Sequence, residues 1–237
     1  MDRVTRNKLK TDKFAVEVEH TVEYVAEHRK QVTIYGAIAV AVAIVAAGIW
    51  YYRGEQHSTR QKDLAEAMEK QNAPVMPAPP AGTVAPPRYF TTQALKNTEV
   101  SKAFSAVRAK HAGSTEAVIA ASYLGAIAAD EGKLPEAEKY FQAAIADGDA
   151  NYGSIAKLSL SQILVATGRV PEAEKLLRSL ADNPTLFVSK EQATIALARA
   201  IGTTKPAEAR KLLEPLRATP GAVSQAAITA LNQLPGQ

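Results

Sequence analysis

LPEAEKYF, Leu134 to Phe141, returns 36 residues later as VPEAEKLL, Val170 to Leu177. The step carries Gly132 onto Gly168, Pro135 onto Pro171 and Ala137 onto Ala173. A looser copy, AEARKLLEPL at Ala207 to Leu216, sets Ala209 a further 36 residues on. Self-similarity at such a period marks stacked supersecondary units. One helix pair cannot bury its apolar face alone, so copies stack and each covers its neighbour. ASYLGAIAADEGKLPEAEKYFQAAI (Ala121 to Ile145) reads as two amphipathic helices about a turn at Glu131-Gly132-Lys133. Gly132 suits the left-handed position after the first helix, and Pro135 the first turn of the second, where an N–H has no intrahelical partner. Leu158 to Leu180 repeats this pattern with Gly168 and Pro171. Glu191 to Leu216 repeats it again, with Ser189 and Gln192 spaced as a capping box. Ala137 and Ala173 let the paired helices approach, and Phe141 and Leu177 fill the gap one turn later. The expectation is an all-α chain.

The 237 residues contain no cysteine, which excludes disulfides, thiolate nucleophiles and Cys-ligated metals. Net charge is +4 and dispersed: residues 1–30 carry seven Lys/Arg against six Asp/Glu. That is not the dense basic footprint of a nucleic-acid binder, and no nucleic-acid partner is expected.

From Gln31 to Tyr52 there is no charged residue, and the core reads IYGAIAVAVAIVAAGIWYY. About 20 such residues at ~1.5 Å each reach ~30 Å, one hydrocarbon thickness. Tyr35 marks one end, and Trp50, Tyr51 and Tyr52 the other, as interfacial aromatics do. The stretch exceeds a signal-peptide core, so residues 31–52 are read as an uncleaved transmembrane signal-anchor. Arg29, Lys30 and five upstream basic residues bias the N-terminus inside, leaving the rest outside. Ala39, Ala43 and Ala47 form a small-residue stripe on which a second membrane helix, including that of a homo-oligomer, can pack. Simple alanine richness explains the stripe equally well. Residues 1–30 form a cytoplasmic segment whose Phe14, Val18, Val22 and Val25 share a helical stripe. It reads either as a docking helix or as an exposed extension of the span.

Residues 53–72 read as a polar juxtamembrane helix. Residues 73–88 hold six of the 13 prolines. No helix survives that density, so the segment is expected to be an extended spacer holding residues 89–237 away from the membrane. Its PxxP spacing is also open to a partner of polyproline-binding type.

The repeat pattern resembles tetratricopeptide repeats. With Val118 as position 1, Leu124, Gly125, Ala128, Ala137, Phe141 and Ala144 fall at the family's positions 7, 8, 11, 20, 24 and 27. Repeats opening at Ser154 and Lys190 follow the same scheme. The period is 36 rather than 34, position 4 has no Trp, and Leu197 stands where a small residue belongs. Ser101 to Gly113 resembles a lone second helix from a partial repeat, and Pro220 to Gly236 a lone capping helix. The resemblance implies an α-solenoid of antiparallel helix pairs over roughly residues 92–237. The layout as a whole is similar to the bacterial ancillary SecYEG translocon subunit family, although the long proline-rich segment departs from it. That resemblance implies a single-pass inner-membrane protein with a cytoplasmic N-terminus and periplasmic repeats. It also implies an accessory role beside the secretion channel, with SecYEG and periplasmic chaperones as partners.

Sequence motifs for catalysis are absent. There is no GxGxxG, no GxxxxGK[ST] and no GxSxG. His20, His28, His57 and His111 are scattered without carboxylate spacing for a metal site. Glu136 with Glu138, and Glu172 with Glu174, sit at helix N-termini, where they complement the helix dipole. The expectation is a non-enzyme without cofactor or metal.

The family likeness further implies a concave groove lined by the first helix of each pair. Its positions here are Ile119, Ser122, Ala126, Ala129 and Asp130; Ile155, Leu158, Gln162, Val165 and Ala166; and Glu191, Thr194, Ala198, Ile201 and Gly202. This mostly small and apolar surface suits a hydrophobic segment of a protein partner, or packing by the chain's own flanking helices. Three readings follow: a membrane-anchored adaptor, a periplasmic chaperone that holds unfolded clients, and a reversed-topology cytosolic receptor.

Overall fold

The computed structural model describes residues 29–78 and 86–235. Its helices are α1 (Arg29–Asn72), α2 (Gln93–Lys110), α3 (Thr115–Asp130), α4 (Leu134–Asp147), α5 (Ala150–Ala166), α6 (Val170–Asp182), α7 (Lys190–Ile201), α8 (Pro206–Leu213) and α9 (Ala222–Asn232). A 3₁₀ turn, Glu214–Ala218, follows α8. The described residues contain no strand beyond one isolated bridge between Val75 and Phe90. The chain divides into two compact units at the step from Ser58 to Thr59.

In the first unit, the side chains of α1 described from Thr33 to Gly48 are exposed, Ala39, Ala43 and Ala47 among them. Among the described residues no helix is long and apolar enough to cross a membrane. The charge-free stretch enters that statement without residues 31, 32, 36, 49, 50 and 52, whose side chains lie outside the description. The stripe of Phe14, Val18, Val22 and Val25, together with His20 and His28, also lies outside it.

The second unit is a row of antiparallel helix pairs. The predicted pairs are α3 with α4, α5 with α6, and α7 with α8, and α9 follows as the lone helix. The turn chemistry works as the sequence requires. Gly132 and Gly168 have φ of 74° and 78°. In the first turn Lys133 N–H donates to the Ala128 carbonyl at 2.8 Å and Gly132 N–H to Ala129 at 2.9 Å. Arg169 to Leu164 and Gly168 to Val165 repeat this double closure at 2.7 and 3.0 Å. These paired bonds satisfy carbonyls that the helix end leaves open. Ser189 and Gln192 form the capping box of α7. The second helix of the last pair is shorter than its counterparts. Pro215 brings no N–H and crowds the carbonyl four residues back, so α8 tightens into the 3₁₀ turn.

Ala137, Ala173 and Ala209 are fully buried, and Phe141, Leu177 and Leu213 are buried one turn beyond. A Cβ added at Gly125 would stand 2.7 Å from the Phe141 ring, so the pair closes only on a residue without a side chain. Leu197 occupies the same register as Gly125 and is buried with Leu213 in the C-terminal core.

A further pair stands at the N-terminal end of the row. The closing part of α1, from Thr59, belongs to the repeat unit rather than outside it. Leu64 and Ala67 are buried with Val100, Phe104 and Val107 of α2 and Ala120, Leu124 and Ile127 of α3. Leu64, Ala67 and Met68 make an i, i+3, i+4 stripe within an otherwise polar run. The proline-rich segment is therefore an excursion between the two helices of this first pair. It leaves and returns at one place: Met76 N–H donates to the Phe90 carbonyl and Phe90 N–H to the Pro74 carbonyl, both at 2.9 Å. Lys96 Nζ donates to the Ala73 carbonyl at 2.8 Å. Residues 79–85 lie outside the description, and with them Pro79 and Pro80 of the PxxP spacing.

Phe104 is fully buried and stacks on Tyr123 with ring centroids 4.6 Å apart. Phe104→Ala is expected to lower unfolding free energy by about 3–5 kcal/mol, read as a fall in the urea midpoint at unchanged slope. A loss under about 1 kcal/mol would mean that the α1–α2 pair contributes little to the fold.

Candidate protein-binding surface

The expected groove residues divide into three sets. Ala126, Asp130, Ile155, Gln162 and Ala166 are exposed, with Ile155 at 38%. Ile119, Ser122, Ala129, Leu158, Val165, Glu191 and Thr194 are half-buried. Leu158 and Val165 pack against the C-terminal core, and Ile119 against the cluster around Phe104. The hydroxyls of Ser122 and Thr194 turn back to the carbonyls of Val118 and Lys190 at 3.1 and 2.7 Å. Ala198, Ile201 and Gly202 are buried. At Gly202 the nearest neighbour of an added Cβ is Leu234, at 2.7 Å, so the chain's own C-terminal segment covers the far end of the third row. The fully exposed groove residues all lie on the first two rows.

A ladder of ion pairs joins successive second helices. Arg169, in the turn before α6, reaches back to Glu138 of α4 at 2.8 Å and also holds Glu172 at 2.7 Å. One repeat on, Lys205 reaches Glu174 at 2.8 Å. Arg178 bridges Glu174, at 2.7 Å, and Glu208. The carboxylates singled out in the sequence as Glu138, Glu172 and Glu174 are consumed in this ladder. Hydrogen bonds from Lys205 and then Arg178 hold the Glu174 carboxyl below the usual range, and those that Arg169 donates to Glu172 and then Glu138 push its guanidinium up. An open cleft of about 430 Å³ beside it has Leu160, Leu164 and Leu176 among its lining, with Glu138, Arg169 and Glu172.

At the junction of α1, α2 and α3, Asp63 accepts from Lys110 Nζ and lies equally close to His111 Nε2, both at 2.7 Å. Arg60 Nε lies 3.6 Å from the buried Glu116 carboxylate. His111 is therefore part of a helix junction. Among the described residues, no group of three His, Asp or Glu side chains is placed to hold a metal.

The periodicity gives no signal for residues 183–188, between the second and third predicted pairs. There Leu186 is 84% exposed and Phe187 40% exposed, and Phe187 meets the Tyr152 ring edge-on at 5.1 Å. The available signal was Asn183-Pro184, a turn opener, followed at once by two large apolar residues.

A family model described as a tetratricopeptide repeat-like domain matches residues 24–212. The chain belongs to the tetratricopeptide repeat-like domain family. No curated protein and no solved structure matches it. Repeats of this family generally bind protein partners and are typically non-catalytic. The match runs from before α1 into α8 and so takes in the α1–α2 pair and its proline-rich excursion.

Asp63 is held below the ordinary carboxylate range by its hydrogen bonds with Lys110 and then His111. A carboxylate depressed in the folded state stabilises the fold above its unfolded pKa, about 4. That contribution is lost as pH falls through the folded value. Asp63→Asn is expected to lower stability at pH 7 and to flatten its decline in acid, read as urea midpoints at pH 7 and pH 3. Parallel declines for the variant and the parent would remove Asp63 from the acid response.

Proposed function

We propose that this chain is a membrane-anchored adaptor whose repeats bind a protein partner in the periplasm. The partner would belong to the protein-secretion channel or to its chaperones. The observation that carries the anchoring is the charge-free stretch Gln31 to Tyr52. It lies in α1, and Ile34, Ile38, Val40, Val42, Ile44 and Val45 are each more than half exposed. Such side chains facing outward in several directions along one helix fit a hydrocarbon surround. The excess of Lys and Arg before the stretch supports an inside N-terminus and periplasmic repeats. Ala39, Ala43 and Ala47 would then offer a close-packing face to a second membrane helix. Protein binding is what the family supports; the accessible first two rows, including Ile155 and Gln162, supply the surface.

The second reading, a chaperone that holds unfolded clients directly, draws on the same exposed apolar residues. Affinity capture of the full-length protein from its own membranes in mild detergent separates the two. The adaptor should bring down a few stoichiometric partners, including channel subunits, and lose them when Ile155 and Leu158 both become Asp. A broad spread of secreted proteins would instead support the holding chaperone. In the same membranes the protein should resist alkaline extraction, and added protease should digest the repeats only after the outer membrane is opened. Release by alkali would end the anchoring proposal, and repeats protected in spheroplasts would place them in the cytosol.

A further inference from the structure

The segment from Asn183 to Ser189 is a short loop held firmly at several points. Thr185 Oγ1 and Ser154 Oγ of α5 lie 2.7 Å apart, and Leu186 N–H donates to Asn151 Oδ1 at 3.1 Å. Val188 is 1% exposed; its N–H donates to Thr185 Oγ1, and its carbonyl accepts from Thr185 N–H. Ser189 N–H donates to the Gln192 side chain at 2.9 Å. These bonds set Leu186 outward, with Phe187 against Tyr152. Asn151 and Tyr152 stand one turn before Ile155, so the three share a face of α5. The result is an apolar rim, Leu186 and Phe187 held against the start of α5, beside the second row of the groove and already fixed in the free chain. Large apolar side chains displayed on a rigid support bind with little ordering cost, which is what anchors an interface.

The chemistry of the rim selects its occupant. Pro184 has no N–H, and those of 185, 186, 188 and 189 are already taken, so an added β-strand finds few donors there. Recognition then falls to side chains. Asp149, Asp182 and Glu191 stand next in sequence to the rim residues, with Lys190 among them and Arg178 one turn before Asp182. Asp149 caps α5 by accepting from Asn151 and Tyr152 N–H at 2.9 Å, and the Glu191 carboxyl is held below its usual range by its own backbone N–H, then by Ser189, with Lys190 a lesser influence. The turns within the pairs differ: Lys133, Arg169 and Lys205 there each hold a glutamate within 2.8 Å. Asp149 and Glu191 are bonded to backbone N–H groups at the starts of α5 and α7, Arg178 is taken by Glu174 and Glu208, and Asp182 makes no ion pair among the described residues. Three carboxylates thus stand against the one cation Lys190, and this excess is complementary to a basic partner.

We propose that Tyr152, Ile155, Leu186 and Phe187 form a docking surface for a partner segment that interleaves apolar side chains with lysine or arginine. This rests on the reading of the repeats as a protein-binding domain. The test uses the full-length chain in detergent micelles and two fluorescent amphipathic peptides. Both carry leucine on one face; one carries lysine and the other glutamate on the rest. Anisotropy titrations are corrected with micelles alone. The lysine peptide is expected to bind at least about tenfold more tightly than the glutamate peptide, and Leu186→Asp to weaken it at least about tenfold. Thermal melts should match between parent and Leu186→Asp, because that side chain has little to lose from the core. Equal binding of the two peptides, no binding of either, or no effect of Leu186→Asp would overturn the proposal. Loss in Ala126→Asp but not in Leu186→Asp would place the partner in the groove proper, leaving the adaptor reading standing and this one not. Self-association that Leu186→Asp abolishes would make a second copy of the chain the occupant, and would also overturn it.

Discussion

The close approach of paired helices at Ala137, Ala173 and Ala209 is the constraint on which the repeat unit depends. Each is fully buried, and each is 36 residues from the next. With only a methyl group at the crossing, the backbones come near enough for Phe141, Leu177 and Leu213 to close the space one turn away. Gly125 does from the other helix what Ala137 does from its own. Since interiors are packed as densely as organic crystals, a crossing widened by larger side chains would leave voids no neighbour fills. The recurrence of one small residue thus fixes the geometry of each pair, and the apolar remainder of each pair is covered by the next.

Charge plays a secondary and asymmetric part. The half-buried ladder through Glu138, Arg169 and Glu174, with the exposed Lys205, joins second helices across repeats, but pairs this close to the surface contribute little each. Their effect is on specificity: they hold neighbouring second helices in register and consume the charges along one edge. Among the described residues, the loop between α6 and α7 carries no such ladder, and there Leu186 and Phe187 stand exposed instead.

Much of the fold was readable from short-range chemistry. Gly132, Gly168, the prolines three residues later and the Ser189–Gln192 box each specify a local geometry that tertiary packing did not override. The first pair was hidden because its helices are separated by a long proline-rich excursion, which breaks the 36-residue step on which the repeats were found. Its stripe of Leu64, Ala67 and Met68 is also short within a charged run. The candidate surface was less readable. Family positions located the rows, but whether a row is open depends on what packs over it: Ala198 and Gly202 are covered, Ile155 is not. Leu186 and Phe187 escaped notice because a loop has no periodicity to interrogate.

The narrow neck at Val75 and Phe90 bears on how this chain can change. Two main-chain bonds and the Lys96 contact hold the entry and exit of the proline-rich segment side by side, so the helices on either side do not register its length. For a loop closed at such a neck, doubling its length costs only about 0.6 kcal/mol. Insertions and replacements there, up to a whole foreign module, can be absorbed without shifting the α1–α2 pairing. The span between Val75 and Phe90 is thus the natural port for grafting a reporter.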